Sequence, residues 1–164
     1  MEADGVAQKN RTFEIILGSS SMARREILAE MGYDFTIMTA DIDEKSIRKE
    51  KPEDLVMALA EAKADAIMMR LKSSGQLEEI SHPTLLITAD TLHGFTDYSG
   101  GSAKVVGSVL VTNLVTGSRK GGWESAEVYF LDIPDEVVDS LVGTADCVMG
   151  LSKSLTEKLI QEAL

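Results

Sequence analysis

The sequence predicts an α/β fold, and three observations carry that prediction. Short apolar runs of a type suited to burial on both faces alternate with helix-patterned segments through the first half of the chain, giving the order β-α-β-α-β. The second half changes to two longer strand-like runs about a turn-rich connection, which reads as an antiparallel hairpin followed by helices. At 164 residues and 44% hydrophobic composition, the chain is long enough to bury one sizeable core.

Each element has its own signal. Thr12 to Leu17 (TFEIIL) is an apolar run ending at Gly18; three serines follow, and then ARREILAEMG has helical spacing with a glycine stop at Gly32. Tyr33 to Ala40 (YDFTIMTA), aromatic and β-branched, predicts a second strand leading into the acidic stretch ADIDEKS. Pro52 opens a long helix to about Leu71, with Leu55, Leu59, Ala62, Ala66 and Met69 read as its apolar face. After a Ser- and Gly-containing loop, Thr84 to Thr88 (TLLIT) predicts a third strand ending at Ala89-Asp90-Thr91. Val105 to Asn113 and Trp123 to Ile133 form the predicted hairpin around LVTGSRKGG. Pro134 starts a helix through PDEVVDSLV, and Ser152 is placed to cap a terminal helix through SLTEKLIQEAL. Residues 1–11 read as a flexible N-terminus and 12–164 as a single domain, with a composition shift over Thr96 to Gly107 marking a lobe boundary.

Composition excludes several classes of function. With 27 acidic against 16 basic residues and a net charge of −11, broad binding to nucleic-acid polymers or anionic membranes is not expected. No stretch is long and apolar enough to span a bilayer, the first ten residues lack the run of a secretion signal, and the lone Cys147 cannot form an intramolecular disulfide; the expected location is the cytoplasm. Net negative charge leaves room for a small phosphorylated ligand, provided that Arg, Lys and backbone N–H groups gather locally, with a divalent cation on some of the carboxylates.

Gly18-Ser19-Ser20-Ser21-Met22-Ala23-Arg24-Arg25, between the first strand and the first helix, meets that requirement. Small residues let the backbone approach an anion, serine hydroxyls add donors, and a helix N-terminus adds N–H groups and a favourable dipole. A cation opposes the positive end of a helix, so Arg24 in the first turn is better placed against a ligand's phosphates than for helix stability. The competing reading is an ordinary serine cap with solvated arginines. Asp90, where the TLLIT strand ends, stands where ligands of open α/β sheets bind, and it suits metal binding or proton acceptance from water; a turn-capping aspartate is its bland alternative. Asp41, Asp43 and Glu44 follow the second strand in the same topological position, either as a solvated turn or as a second acidic group. Lys63 lies beside the apolar stripe of the long helix, able to snorkel to solvent or reach into a cleft. His82 and His93 have no partner at metal-ligand spacing and are assigned to surface or loop packing.

Taken together, LGSSSMARREIL, TADIDEKS, AEAKADAI and ITADT resemble, in order and spacing, the Maf family of nucleoside triphosphate pyrophosphatases. VVGSVLVTNLVTGSRKGGWESAEVYF and VMGLSKSL are similar to the family's later hairpin and C-terminal segment, so the resemblance covers most of the chain. It implies a three-layer α/β/α fold with a mixed sheet and a cleft between two lobes, in an often homodimeric protein. It also implies Mg²⁺- or Mn²⁺-dependent release of pyrophosphate from pyrimidine or modified nucleoside triphosphates, a housecleaning of nucleotide pools. Carried onto this sequence, it makes Asp90 the proton acceptor and metal-linked base, and associates Thr91 and Ala23 with base choice. Ser19, Ser21, Arg24 and Lys63 fall on phosphate-binding positions, and Asp43 and Glu44 join Asp90 toward the metal.

The chain departs from the family pattern at three places. Ala23 stands where many members have Arg or Trp. Only LHGFTDY separates Thr91 from Ser99-Gly100, where the family carries a Gly-Lys-Pro hairpin and a helix; the lysine of that motif, a further phosphate or catalytic contact, is absent. Only GTADC lies between Val142 and VMGL, where the family has an Ala-Gly-Tyr segment with a specificity-linked glutamine. Both differences have the form of block deletions. They favour a rival reading, a catalytically impaired nucleotide-binding or interaction variant, because lost positioning cations remove transition-state stabilisation.

Overall fold

A computed structural model of the chain describes residues 12–97, 102–129 and 151–164. The order is β1 (Glu14–Leu17), α1 (Met22–Glu30), β2 (Thr36–Ile37), a 3₁₀ turn (Glu44–Ser46), α2 (Pro52–Ser73), β3 (Thr84–Asp97), β4 (Ser102–Asn113), β5 (Arg119–Tyr129) and α3 (Lys153–Ala163). The strands form one mixed sheet in the order β2-β1-β3-β4-β5. β1 runs parallel to β2 and β3, whereas β3, β4 and β5 are antiparallel neighbours.

Alternation along the strands sorts side chains into two cores, which makes three layers. Ile15, Leu17, Leu85, Ile87, Ala89, Val109 and Val111 face α1 and α3, meeting Ile27, Leu28, Leu159 and Ile160. Leu86 and Leu110 face the other way, onto Ala60, Ala64, Ile67 and Leu71 of α2. Two adjacent glycines let both helical layers close on β5. A Cβ on Gly121 would meet Met57 Cε of α2 at 2.8 Å, and one on Gly122 would meet Leu155 Cδ1 of α3 at 3.0 Å. α3 is capped by Ser152, whose hydroxyl accepts the Leu155 N–H at 3.3 Å. The far end of α3 is held where the Ala163 carbonyl accepts the Asn113 amide at 3.0 Å. Among the described residues no helix is long and apolar enough to cross a membrane.

Four sequence expectations are corrected. The apolar face of α2 is Val56, Leu59, Ala60, Ala64, Ile67 and Leu71, and Met69 is 70% exposed. Alanines and methionines make this helix apolar nearly all round, so periodicity alone did not select the buried stripe. The second strand is only Thr36–Ile37; beyond Ile37 its partner β1 has ended at Leu17 and offers no further pairing. β3 does not end at Thr88 but continues to Asp97 against β4. The hairpin strands begin earlier than expected, at Ser102 and Arg119. The expected boundary at Thr96 to Gly107 straddles the β3–β4 connection, of which residues 98–101 lie outside the described residues. So do the expected flexible N-terminus 1–11, the helix PDEVVDSLV and Cys147.

Candidate active site

The site forms where β1 stops and β3 goes on. Gly18 N–H donates to the Ile87 carbonyl at 2.7 Å, the last rung between these strands. Beyond it the chain of β1 turns away as the serine loop, and its pairing with β3 stops short of Asp90 and Thr91. Gly18 is required here, since a Cβ would lie 2.6 Å from Ile67 Cδ1 and 2.8 Å from Thr88 Cγ2. Asp90 is therefore a mid-strand residue past the end of β1 rather than a residue at a strand end, and its backbone is held on its other side by β4.

In the serine loop the capping reading holds for the serine and fails for the arginine. Ser21 does cap α1, its hydroxyl accepting the Arg24 N–H at 3.3 Å, and the Ser19 hydroxyl accepts the Ser21 N–H at 3.1 Å. Arg24, however, is not a solvated arginine. Its Nη1 donates to Ser19 Oγ at 3.4 Å and its Nη2 to Thr91 Oγ1 at 3.0 Å, fastening the loop to β3. Burial lowers the pKa of its guanidinium, and the negative charges of Asp90 and Glu44 pull it back up. A partly desolvated arginine facing two carboxylates, at a helix N-terminus with small residues before it, has the chemistry to receive an anion.

Lys63 comes from the other side of the sheet. It lies three residues after Ala60 and four before Ile67, on the buried stripe of α2, so its chain runs inward along the sheet. Its Nζ donates to Asp90 Oδ1 and to the Ala89 carbonyl, each at 2.9 Å, in a nearly buried ion pair with side chains 14% and 13% exposed. Adjacent residues of β3 point to opposite faces, so Asp90 meets the lysine of α2 while Thr91 meets the arginine of α1.

Ser108 carries no local sequence signal, and only the strand register places it opposite Asp90. Its buried hydroxyl accepts the Asp90 N–H at 3.2 Å and donates to the Val56 carbonyl of α2 at 2.7 Å. Thr88 makes the parallel bond one rung away, to the Ala60 carbonyl at 2.8 Å.

Ser19, Ser21, Arg24, Lys63, Asp90 and Thr91 are thus brought together, and Ala23 sits half-buried in the first turn of α1. Asp43 is exposed, its carbonyl accepting from Ser46; Glu44, also exposed, reaches the site through its charge on Arg24. Among the described residues no three His, Cys, Asp or Glu side chains gather as a group able to hold a metal ion. The expected set of Asp90, Asp43 and Glu44 is not assembled as a cage.

Comparison with known proteins places the chain in a family. The family described as Maf-like protein matches residues 14–96, half of the chain. The 7-methyl-GTP pyrophosphatase of Dictyostelium discoideum is 30% identical over 191 aligned positions, taking in 90% of this chain and 96% of the relative. That alignment exceeds the 164 residues of the chain, so the relative carries residues with no counterpart here. A dTTP/UTP pyrophosphatase of Geotalea uraniireducens is 29% identical over 79% of this chain and 71% of its own length. One from Psychrobacter cryohalolentis is 35% identical over 48% of this chain and 38% of its own length. Among solved structures, a lipoprotein of Neisseria meningitidis aligns over 78% of this chain and 91% of that one at 15% identity. Its TM-score of 0.41 is too low to carry an argument.

Proposed function

The chain belongs to the Maf-like protein family, and from that premise we propose that it hydrolyses a nucleoside triphosphate between its α- and β-phosphates, releasing pyrophosphate. One observation carries the reading. Two helices on opposite faces of the sheet each deliver a cation to one of two consecutive β3 residues, Arg24 to Thr91 and Lys63 to Asp90. A triphosphate at this edge meets Arg24, the Ser19 and Ser21 loop and the N-terminus of α1, with Lys63 behind it.

Asp90 accepts the proton of a water attacking the α-phosphorus, and the bond from that phosphorus to the bridging oxygen breaks as pyrophosphate leaves with its charge facing the cations. Beside Arg24 and Lys63 the described residues offer a divalent ion the carboxylate of Asp90, with Glu44 nearby. That suits an ion arriving on the nucleotide as a Mg²⁺ or Mn²⁺ complex, bound largely through phosphate oxygens. The names of the relatives divide between 7-methyl-GTP and dTTP/UTP, which supports modified or pyrimidine nucleotides as substrates; hydrolysis of such nucleotides would clear them from nucleotide pools.

The missing Gly-Lys-Pro lysine favours a second reading, a chain that binds nucleotide without turnover. Pyrophosphate release by the purified chain, with Asp90→Asn beside it, separates the two. Turnover lost in the variant supports the hydrolase; nucleotide binding without turnover in the parent chain supports the alternative.

A further inference from the structure

Among the described residues, one carboxylate oxygen on the sheet is buried with no hydrogen bond to explain its position. Glu124 Oε1, on β5, is buried without a hydrogen bond, although a buried carboxylate oxygen strongly favours having donors. The strand register shows where it stands. Thr91 of β3 is opposite Gly107 of β4, and Gly107 is opposite Glu124 of β5, so the three share one row and one face of the sheet. The next row on that face, Ala89, Val109 and Gly122, is covered by α1 and α3, with Leu155 in the first turn of α3 against Gly122. The Thr91–Gly107–Glu124 row therefore lies at the amino-terminal ends of both helices. It has the Arg24–Thr91 contact at one end, no side chain in the middle and a carboxylate at the other.

Two strand spacings, about 10 Å, separate Glu124 from Thr91. A carboxylate is repelled by phosphates, so with the triphosphate held at Arg24 the part of the ligand suited to Glu124 is uncharged or positive and a nucleoside's length away. That part is the base, since the ribose follows directly on the α-phosphate. A carboxylate accepts two hydrogen bonds side by side. Guanine offers such a pair in N1–H and the 2-amino group, and methylation at N7 places a positive charge on the ring as well. Uracil and thymine offer a single N–H flanked by carbonyl oxygens, which a carboxylate repels.

We propose that Glu124 reads the base, selecting guanine-type nucleotides and 7-methyl-GTP above all. The inference rests on the nucleotide-binding reading of the site and assigns its base pocket to the row over Gly107. The test is equilibrium binding by calorimetry of 7-methyl-GTP, GTP, ITP and UTP to the purified chain and to Glu124→Gln and Glu124→Ala, with pyrophosphate release followed in parallel. The expected order for the parent chain is 7-methyl-GTP, then GTP, then ITP, which lacks the 2-amino group, then UTP. Both variants are expected to lose about tenfold or more toward 7-methyl-GTP and GTP while UTP stays within about twofold. Loss of equal size for all four nucleotides, or none, overturns the proposal, as does failure of the parent chain to bind any of them. Base-selective binding without pyrophosphate release leaves the proposal standing and rejects the hydrolase reading alone.

Discussion

Asp90 is tied twice to one helix. Ser108 holds its backbone to the Val56 carbonyl and Lys63 holds its carboxylate, and Val56 and Lys63 lie seven residues apart, two turns along α2. Removing the serine hydroxyl frees the backbone of Asp90 while leaving the carboxylate chemistry intact. Ser108→Ala is therefore expected to lower kcat by about tenfold to a hundredfold with KM changed little, because small misplacements of a reacting group are costly. Steady-state kinetics beside a circular dichroism check of folding tests this. Arg24→Lys should instead raise KM, since a lysine cannot donate to Ser19 and Thr91 in the same planar fork; an unchanged KM would remove Arg24 from phosphate binding. Most of these residues were legible in the sequence, because Arg24 is poorly placed for helix stability and Asp90 closes an apolar run. Ser108 was not, since a serine within VVGSVLV acquires its role only from the pairing of β4 with β3.

At the scale of elements, the loop after β1 depends on close packing between β1, α2 and β3. Gly18→Ala would drive a methyl into Ile67 and Thr88, and thermal denaturation should show a loss of about 1–3 kcal/mol. α3 is bound to the α1–β2 junction by Tyr33, whose hydroxyl donates to Glu157 Oε1 at 2.8 Å. Burial, and then Glu157, raise the Tyr33 pKa above the ordinary tyrosine value. With the folded value raised, the native state holds its proton where the unfolded chain has lost it. This contribution is complete below the unfolded value near 10 and is lost as pH rises beyond it. Denaturation midpoints between neutral and strongly alkaline pH should show this alkaline decline, and Tyr33→Phe should lack that component of it. Helix and strand order was legible from periodicity and from the Gly and Pro stops. The buried stripe of α2 was misread because residues on several of its faces are apolar, and the length of β3 because a polar TADT segment resembles a strand end until β4 pairs with it.

For the whole molecule, the sheet is asymmetric in a way that serves the site. Its parallel half is short and ends at the serine loop, while its antiparallel half runs on past it, so the candidate site lies at the step between them. The relative in Dictyostelium discoideum carries residues without counterpart in this chain, consistent with the two short connections read in the sequence. What remains across that step is an arginine, a lysine, a serine loop and one carboxylate, drawn from four segments that meet only through the α/β topology. On the proposed function, this set suffices for hydrolysis without the Gly-Lys-Pro lysine. The most direct measurement is pyrophosphate release from 7-methyl-GTP, GTP, UTP and dTTP with Mg²⁺ or Mn²⁺, by the chain and by Asp90→Asn. Turnover by the chain is expected, with a fall of at least about a hundredfold in the variant. A folded chain that binds nucleotide but releases no pyrophosphate, or a variant as active as its parent, would contradict it.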